Sequence, residues 1–208
     1  EKVKWYAIGQ GLTFEYMGSL EKALEYCILD YSFDFWQFGN DCSKIPTNKN
    51  LDDYLENLLE VSSLEYTGDK RAKELFPHYY MSESQSGYYG YDLTNLSKYL
   101  KYYKGMPSAN LPPNDVKYKS FDNSYLKSLL KWLDKNGNNM IYINGSLDPY
   151  SICRIIPSKE VNSKSYLLVN TDHNGAQSIK NMPTDMQKDF AETLSKMLGL
   201  NIEFNLQK

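Results

Sequence analysis

Residues 140–155 read MIYINGSLDPYSICRI. An apolar, β-branched run rises into Asn-Gly-Ser, turns at Asp-Pro and restarts with helical character. Such a strand could end on the carboxylate of Asp148 for two reasons. One is an Asp-Pro turn in which the side chain bonds its own backbone. The other is an acid held at the edge of a sheet for chemistry. A second run of the same kind, SYLLV at 165–169, leads into NTDHNGAQ and puts His173 in the turn behind it. Amphipathic stretches flank the pair of runs: NSYLKSLLKWLDKNG at 123–137, with Gly137 placed to stop it, and PTDMQKDFAETLSKMLG at 183–199, with Pro first and Gly last. Helix, strand, short helix, strand, helix implies βα units on a parallel sheet. Two parallel strands make a poor sheet by themselves and call for neighbours that this chain hardly supplies.

Upstream the patterning is helical. Ser19 can cap LEKALEYCILDY, where Leu20, Leu24, Cys27 and Ile28 share a face. The aromatic, non-periodic SFDFWQFGNDCSKIP follows. Asn50 can cap LDDYLENLLEVSSL, with Leu51, Tyr54 or Leu55, and Leu58 or Leu59 as its apolar stripe. Shorter helices fit DKRAKELF and LTNLSKYLKYYKG; the Tyr- and Gly-rich PHYYMSESQSGYYGYD between them reads as loop. The first ten residues alternate as a short strand would, and the Pro-rich PSANLPPND at 107–115 reads as a connection. The division expected is a mostly helical region over 1–135 and a small α/β segment over 136–208.

Of 208 residues, 41% are hydrophobic and 24% charged, the balance of a folded chain. A net charge of −3 without a basic stripe argues against nucleic acid as partner. No run approaches the roughly 18 apolar residues of a membrane span, and EKVKWYAIGQ lacks the apolar core of a signal peptide. Cys27, Cys42 and Cys153 lack metal-ligand spacing. Their pattern leaves open one disulfide with one free thiol, or three buried free thiols.

The two histidines are the natural proton carriers. His78, among aromatics in FPHYY, has no nucleophile or carboxylate at a meaningful spacing and reads as structural. His173 follows a strand, where α/β proteins place ligand and catalytic groups, though a plain surface turn fits as well. Asp148 holds the matching position 25 residues earlier. Acid before histidine, each on a loop after a late strand, is the order of an α/β-hydrolase triad. The nucleophile is absent: no Gly in the chain has Ser or Cys two positions later. A triad without its serine performs no acyl transfer, so the chain alone is expected to be inactive.

Four stretches, ALEYCILDYSFDFWQFGNDCSKIP, PHYYMSESQSGYYGYD, IYINGSLDPYS and NTDHNGAQ, resemble in order and spacing the secreted prolyl tripeptidyl aminopeptidases. These serine peptidases are α/β-hydrolase relatives of the prolylcarboxypeptidases. The resemblance runs from about Gly11 to Leu200, with Phe-Trp-Gln at 35–37 and Gly-x-x-Asp-Pro at 145–149 as its most specific pieces. It implies that residues up to about 135 are the helical cap and the remainder the last two strands and helices of the hydrolase core. Asp148 then matches the triad acid and His173 the triad base. Trp36, Gln37, Gln85 and Tyr88 would face a short peptide substrate; aromatic packing is the alternative role for this group. Tyr150 stands where the family usually has Trp, and Gln85 where many relatives have a Glu suited to a free amino terminus.

The resemblance further implies export to the periplasm or beyond, no metal or organic cofactor, and a partner in the missing N-terminal half of the core, which carries the nucleophile. The chain is thus read as the C-terminal portion of a serine exopeptidase. The competing reading is a non-catalytic module on a hydrolase-derived scaffold, binding peptide or carbohydrate through its 19 tyrosines.

Overall fold

The computed structural model describes residues 1–103 and 119–204. The Pro-rich 107–115 stretch lies outside them. The chain forms two compact units: one of residues 1–35 and 41–128, the other of 36–40 and 129–208. The smaller unit therefore borrows a five-residue piece from early in the sequence.

The first unit is helical. Helix α1 (Lys2–Gly9) occupies the segment expected to be a strand. Its inward residues, Val3, Tyr6 and Ala7, recur at helical spacing against the core, while Trp5 and Ile8 stay exposed. Ser19 caps α2 (Leu20–Gln37) through Lys22 N–H at 3.1 Å, as expected. This helix runs on through SFDFWQ, which its aromatic content had disguised. Ala23, Tyr26, Cys27 and Leu29 line the buried face, whereas Ile28 turns outward. Asn50 caps α3 (Leu51–Val61) by accepting from Asp52 N–H. Leu58 and Leu59 pack on the core and Leu51 is exposed.

Helix α4 (Asp69–Met81) carries past Pro77 into what reads as loop, then widens into a π-turn at Ser82–Ser86. Over 93–103, the described part of LTNLSKYLKYYKG, the expected helix does not form; residues 94–99 form turns. Asp92 accepts from the Thr94 N–H, and the Glu25 carboxylate takes the N–H groups of Lys101, Tyr102 and Tyr103 at 2.7–2.9 Å. Those donors are the ones a helix would have tied internally.

Aromatic residues organise this unit around a carboxylate. The hydroxyls of Tyr89 and Tyr91 both donate to Asp30 Oδ1, at 2.6 and 2.8 Å. Tyr89 also stacks on Phe33, ring centroids 4.1 Å apart, and on Tyr88 at 4.5 Å. Burial raises the Asp30 carboxyl. One turn further along α2, burial first and then the charge of Asp30 push Asp34 up to about 7. Burial likewise pushes the Cys27 thiol up to about 12, leaving it unreactive. All three cysteines are free, with Cys42 and Cys153 exposed, so neither arrangement open from the sequence applies.

The second unit holds the two strands as expected. Helix α5 (Ser124–Asn136), which begins in the first unit, ends where Gly137 N–H bonds Leu133 O. Strands β1 (Ile141–Gly145) and β2 (Lys164–Leu168) then pair in parallel, Ile141 opposite Lys164 and Gly145 opposite Leu168. After the short α6 (His173–Ala176), Pro183 leads into α7 (Thr184–Leu198), which stops at Gly199. Tyr166 and Leu168 on one face of β2 bury against Met182 and Phe190. Asp189 fixes the helix to the strand by accepting from Tyr166 Oη at 2.9 Å and Lys164 Nζ at 2.5 Å. The described elements are mixed helix with a two-stranded parallel sheet, a partial α/β arrangement.

Two outcomes follow for stability. Leu168, 1% exposed, is the centre of the smaller core, so Leu168→Ala lowers unfolding free energy by about 2–5 kcal/mol in a urea titration. Asp34, protonated in the fold up to about pH 7, has an ordinary carboxyl near pH 4 when unfolded. The folded state therefore holds the extra proton between those values, and stability falls as pH rises through that window. The urea midpoint should drop between pH 5 and pH 8, and Asp34→Asn should flatten that drop.

Candidate functional site

The parallel register brings the C-terminal ends of β1 and β2 side by side, so the loops leaving them start from one edge. After β1, Pro149 opens a 3₁₀ turn (Pro149–Cys153), with Asp148 as its cap. Asp148 Oδ1 accepts from Tyr150 N–H at 3.0 Å, the Asx-type contact that an Asp-Pro turn predicts. Its other oxygen, Oδ2, lies 2.7 Å from Nδ1 of His173. The two readings of this aspartate are therefore compatible: one oxygen makes the turn and the other holds the histidine.

After β2, the chain passes through Asn170 at φ 53° and enters α6, capped by Asp172, which accepts from Gly175 N–H at 2.5 Å. His173 is the first residue of that helix. Cross-links bind the two loops: Leu147 N–H donates to Thr171 O and Ser146 N–H to Leu168 O, both at 2.9 Å, and Asn170 N–H donates to Ser146 Oγ at 2.8 Å. From behind, Gly39 presses on Asp172. A Cβ at Gly39 would collide with the Asp172 carboxyl, its carbon 2.9 Å away, and the backbone there is left-handed at φ 70°. Only glycine meets both conditions. This contact explains why residues 36–40 belong to the same unit as the His173 loop.

The pair is asymmetric. The Asp148 side chain is 6% exposed and the His173 side chain 41%. With Asp148 ionised it can only accept, so Nδ1 donates to it; when the imidazole is neutral, Nε2 then carries the lone pair on the half-exposed ring. This arrangement can take a proton at Nε2 from an incoming group and stabilise the imidazolium that results.

The other sequence candidates distribute over both units. Trp36 and Gln37 end α2 and lie in the smaller unit, with Trp36 exposed. Gln85 is exposed in the π-turn of the helical unit, and Tyr88 is half-buried beside it, stacked on Tyr89 and edge-on to His78. His78 is exposed beside these rings, near Tyr79 and edge-on to Tyr88. Sequence reasoning missed Gly39, Gly145 and Ser151, whose importance lies in close approach and leaves little periodic trace; the Gly-x-x-Asp-Pro spacing was the one available signal for Gly145.

A buried carboxylate thus holds a half-exposed imidazole at the ends of two parallel strands. The chain belongs to the PS-10 peptidase S37 family, whose model matches residues 1–199. It is also similar to the prolyl tri/tetrapeptidyl aminopeptidase of Streptomyces mobaraensis, with 29% identity over 155 residues. That match covers 71% of this chain and 31% of the relative, so the chain spans about a third of the relative's length. No solved structure matches it. The family and this relative give the chain a serine-peptidase-like origin.

If Asp148 sets the tautomer, Asp148→Asn should abolish the preference for Nδ1–H. Long-range 1H–15N spectra of the imidazoles should show a slowly exchanging Nδ1 proton on His173 in the parent chain and none in the variant. His78→Gln identifies which of the two histidines gives each signal.

Proposed function

We propose that this chain is the C-terminal portion of a secreted serine exopeptidase of the α/β-hydrolase type, cleaving short peptides by acyl transfer. His173 is the general base that takes the nucleophile's proton on Nε2 and later returns it to the leaving amine. Asp148 orients the ring and stabilises its charged form. The observation that carries this reading is the 2.7 Å contact between buried Asp148 and His173 at the ends of two paired parallel strands.

The nucleophile is supplied by a partner, the N-terminal half of the hydrolase core, which also extends the sheet. Support comes from the lack of any third strand on β1 and β2 among the described residues. It comes also from the apolar Ile152, Ile156 and Val169, which remain 86%, 66% and 74% exposed around the two loops. The helical unit takes the part of the cap, with Gln85 and Tyr88 as its peptide contacts, and Trp36 and Gln37 are those of the smaller unit. With Gln85 in place of an acid, the substrate's amino terminus is held there by hydrogen bonds without a counter-charge.

The test pairs this chain with a polypeptide from the same source that carries a Gly-x-Ser-x-Gly elbow. Chromogenic tri- and tetrapeptides ending in proline are the substrates. The chain alone should show no turnover and the pair should cleave. His173→Ala and Asp148→Asn should each lower kcat by about 10⁴-fold, the scale of triad substitutions. A pair that binds the peptides tightly without cleaving them would instead support the binding-module reading.

A further inference from the structure

Gly145, the last residue of β1, is buried, and its neighbours leave no room for a side chain. A Cβ there would stand 2.5 Å from the carbonyl oxygen of Asp172 and 2.9 Å from the carbonyl carbon of Thr171, with the Thr171 oxygen closer still. Real Cβ atoms essentially never come within 3.0 Å of other atoms in this way. All three obstacles are backbone of the loop that delivers His173, so no rotamer change relieves them. The φ of Gly145 lies outside the left-handed region, so what the site needs is space, not backbone freedom.

The same residue holds the other loop. Its carbonyl accepts from the buried hydroxyl of Ser151 at 2.6 Å and from Asp148 N–H at 3.3 Å, closing the turn that presents the carboxylate. Gly145 is thus the point against which both loops are set: its absent side chain admits one, and its carbonyl ties down the other.

We propose that Gly145, backed by Ser151, is a positioning residue for the Asp148–His173 pair, fixing the separation at which Nδ1 meets Oδ2. A methyl at 145 must drive the His173 loop away by at least about 0.5 Å to clear the Asp172 oxygen. Displacement on that scale spans the whole useful range of an N–H···O bond. The inference rests on the reading of the pair as an acid–base relay.

The test reads the His173 tautomer in the full chain by imidazole 1H–15N spectroscopy, with Asp148→Asn as reference. Gly145→Ala should lose the slowly exchanging Nδ1 proton as Asp148→Asn does, while the far-ultraviolet circular dichroism stays that of the parent. Ser151→Ala should weaken the signal. Gly137→Ala is the control: its Cβ would lie 2.7 Å from Leu133 O at the end of α5, a crowded glycine away from the pair. It should lower Tm and leave the His173 spectrum unchanged.

A parent-like tautomer in Gly145→Ala, or an equal change in Gly137→Ala, overturns the proposal. Should Gly145→Ala not fold, an unaltered His173 signal in Ser151→Ala does the same. If Asp148→Asn itself leaves His173 unchanged, the relay reading falls and this inference with it. If Asp148→Asn abolishes the signal and Gly145→Ala does not, only the positioning role is lost.

Discussion

Parallel pairing of β1 with β2 is the constraint from which the site follows. A parallel ladder sends both chains out of the sheet in the same direction. Gly145 stands opposite Leu168, so the two exits are level as well as adjacent. Three residues beyond one exit is a carboxylate, and five beyond the other an imidazole. Had the register slipped by one residue, the faces of β2 would have exchanged, and Tyr166 and Leu168 would have left their core with α7. The burial that stabilises the smaller unit is therefore also what aligns Asp148 with His173.

The acid–base pair is unequal in its surroundings, and that inequality has chemical content. Asp148 is buried because the turn that displays it is satisfied internally, through Tyr150 N–H on one oxygen and His173 on the other. His173 keeps two-fifths of its side chain exposed and so can meet a group arriving from outside. In the helical unit, Asp30 is also a carboxylate with two partners, but both are tyrosine hydroxyls. There the result is packing: α2 is joined to the tyrosine-rich loop by a shared acceptor. Similar hydrogen-bond counts lead to different roles because of what the donors can do next.

Much of the second unit was legible in the sequence, since its signals are local. An apolar run closed by turn residues marked β2, the amphipathic period marked α5 and α7, and Gly137 and Gly199 marked their ends. Asp148 and His173 were legible as a pair because each follows a strand. The failures are equally physical. Residues 2–9 carry too weak a pattern to separate strand from helix, and the choice is made by Val3, Tyr6 and Ala7 meeting a core formed elsewhere. The segment 93–103 has the composition of a helix, yet Glu25, some 76 residues distant in sequence, takes the donors a helix needs. A tertiary hydrogen bond of that kind leaves no periodic mark. The extension of α2 into SFDFWQ was hidden because its aromatic run has no helical periodicity.

The five residues at 36–40 give the smaller unit an interrupted ancestry along the chain. During synthesis they emerge some 90 residues before their companions, so the seat for Asp172 exists long before the loop that occupies it. Closing so long an interval costs entropy that a continuous domain avoids, and it ties completion of the α/β unit to a segment made with the helical one. A truncated chain beginning at residue 129 would retain both strands, α7 and the Asp–His pair, yet lack the wall behind Asp172. The boundary between units is thus a poor place to cut this protein: the border in space is not a border in sequence.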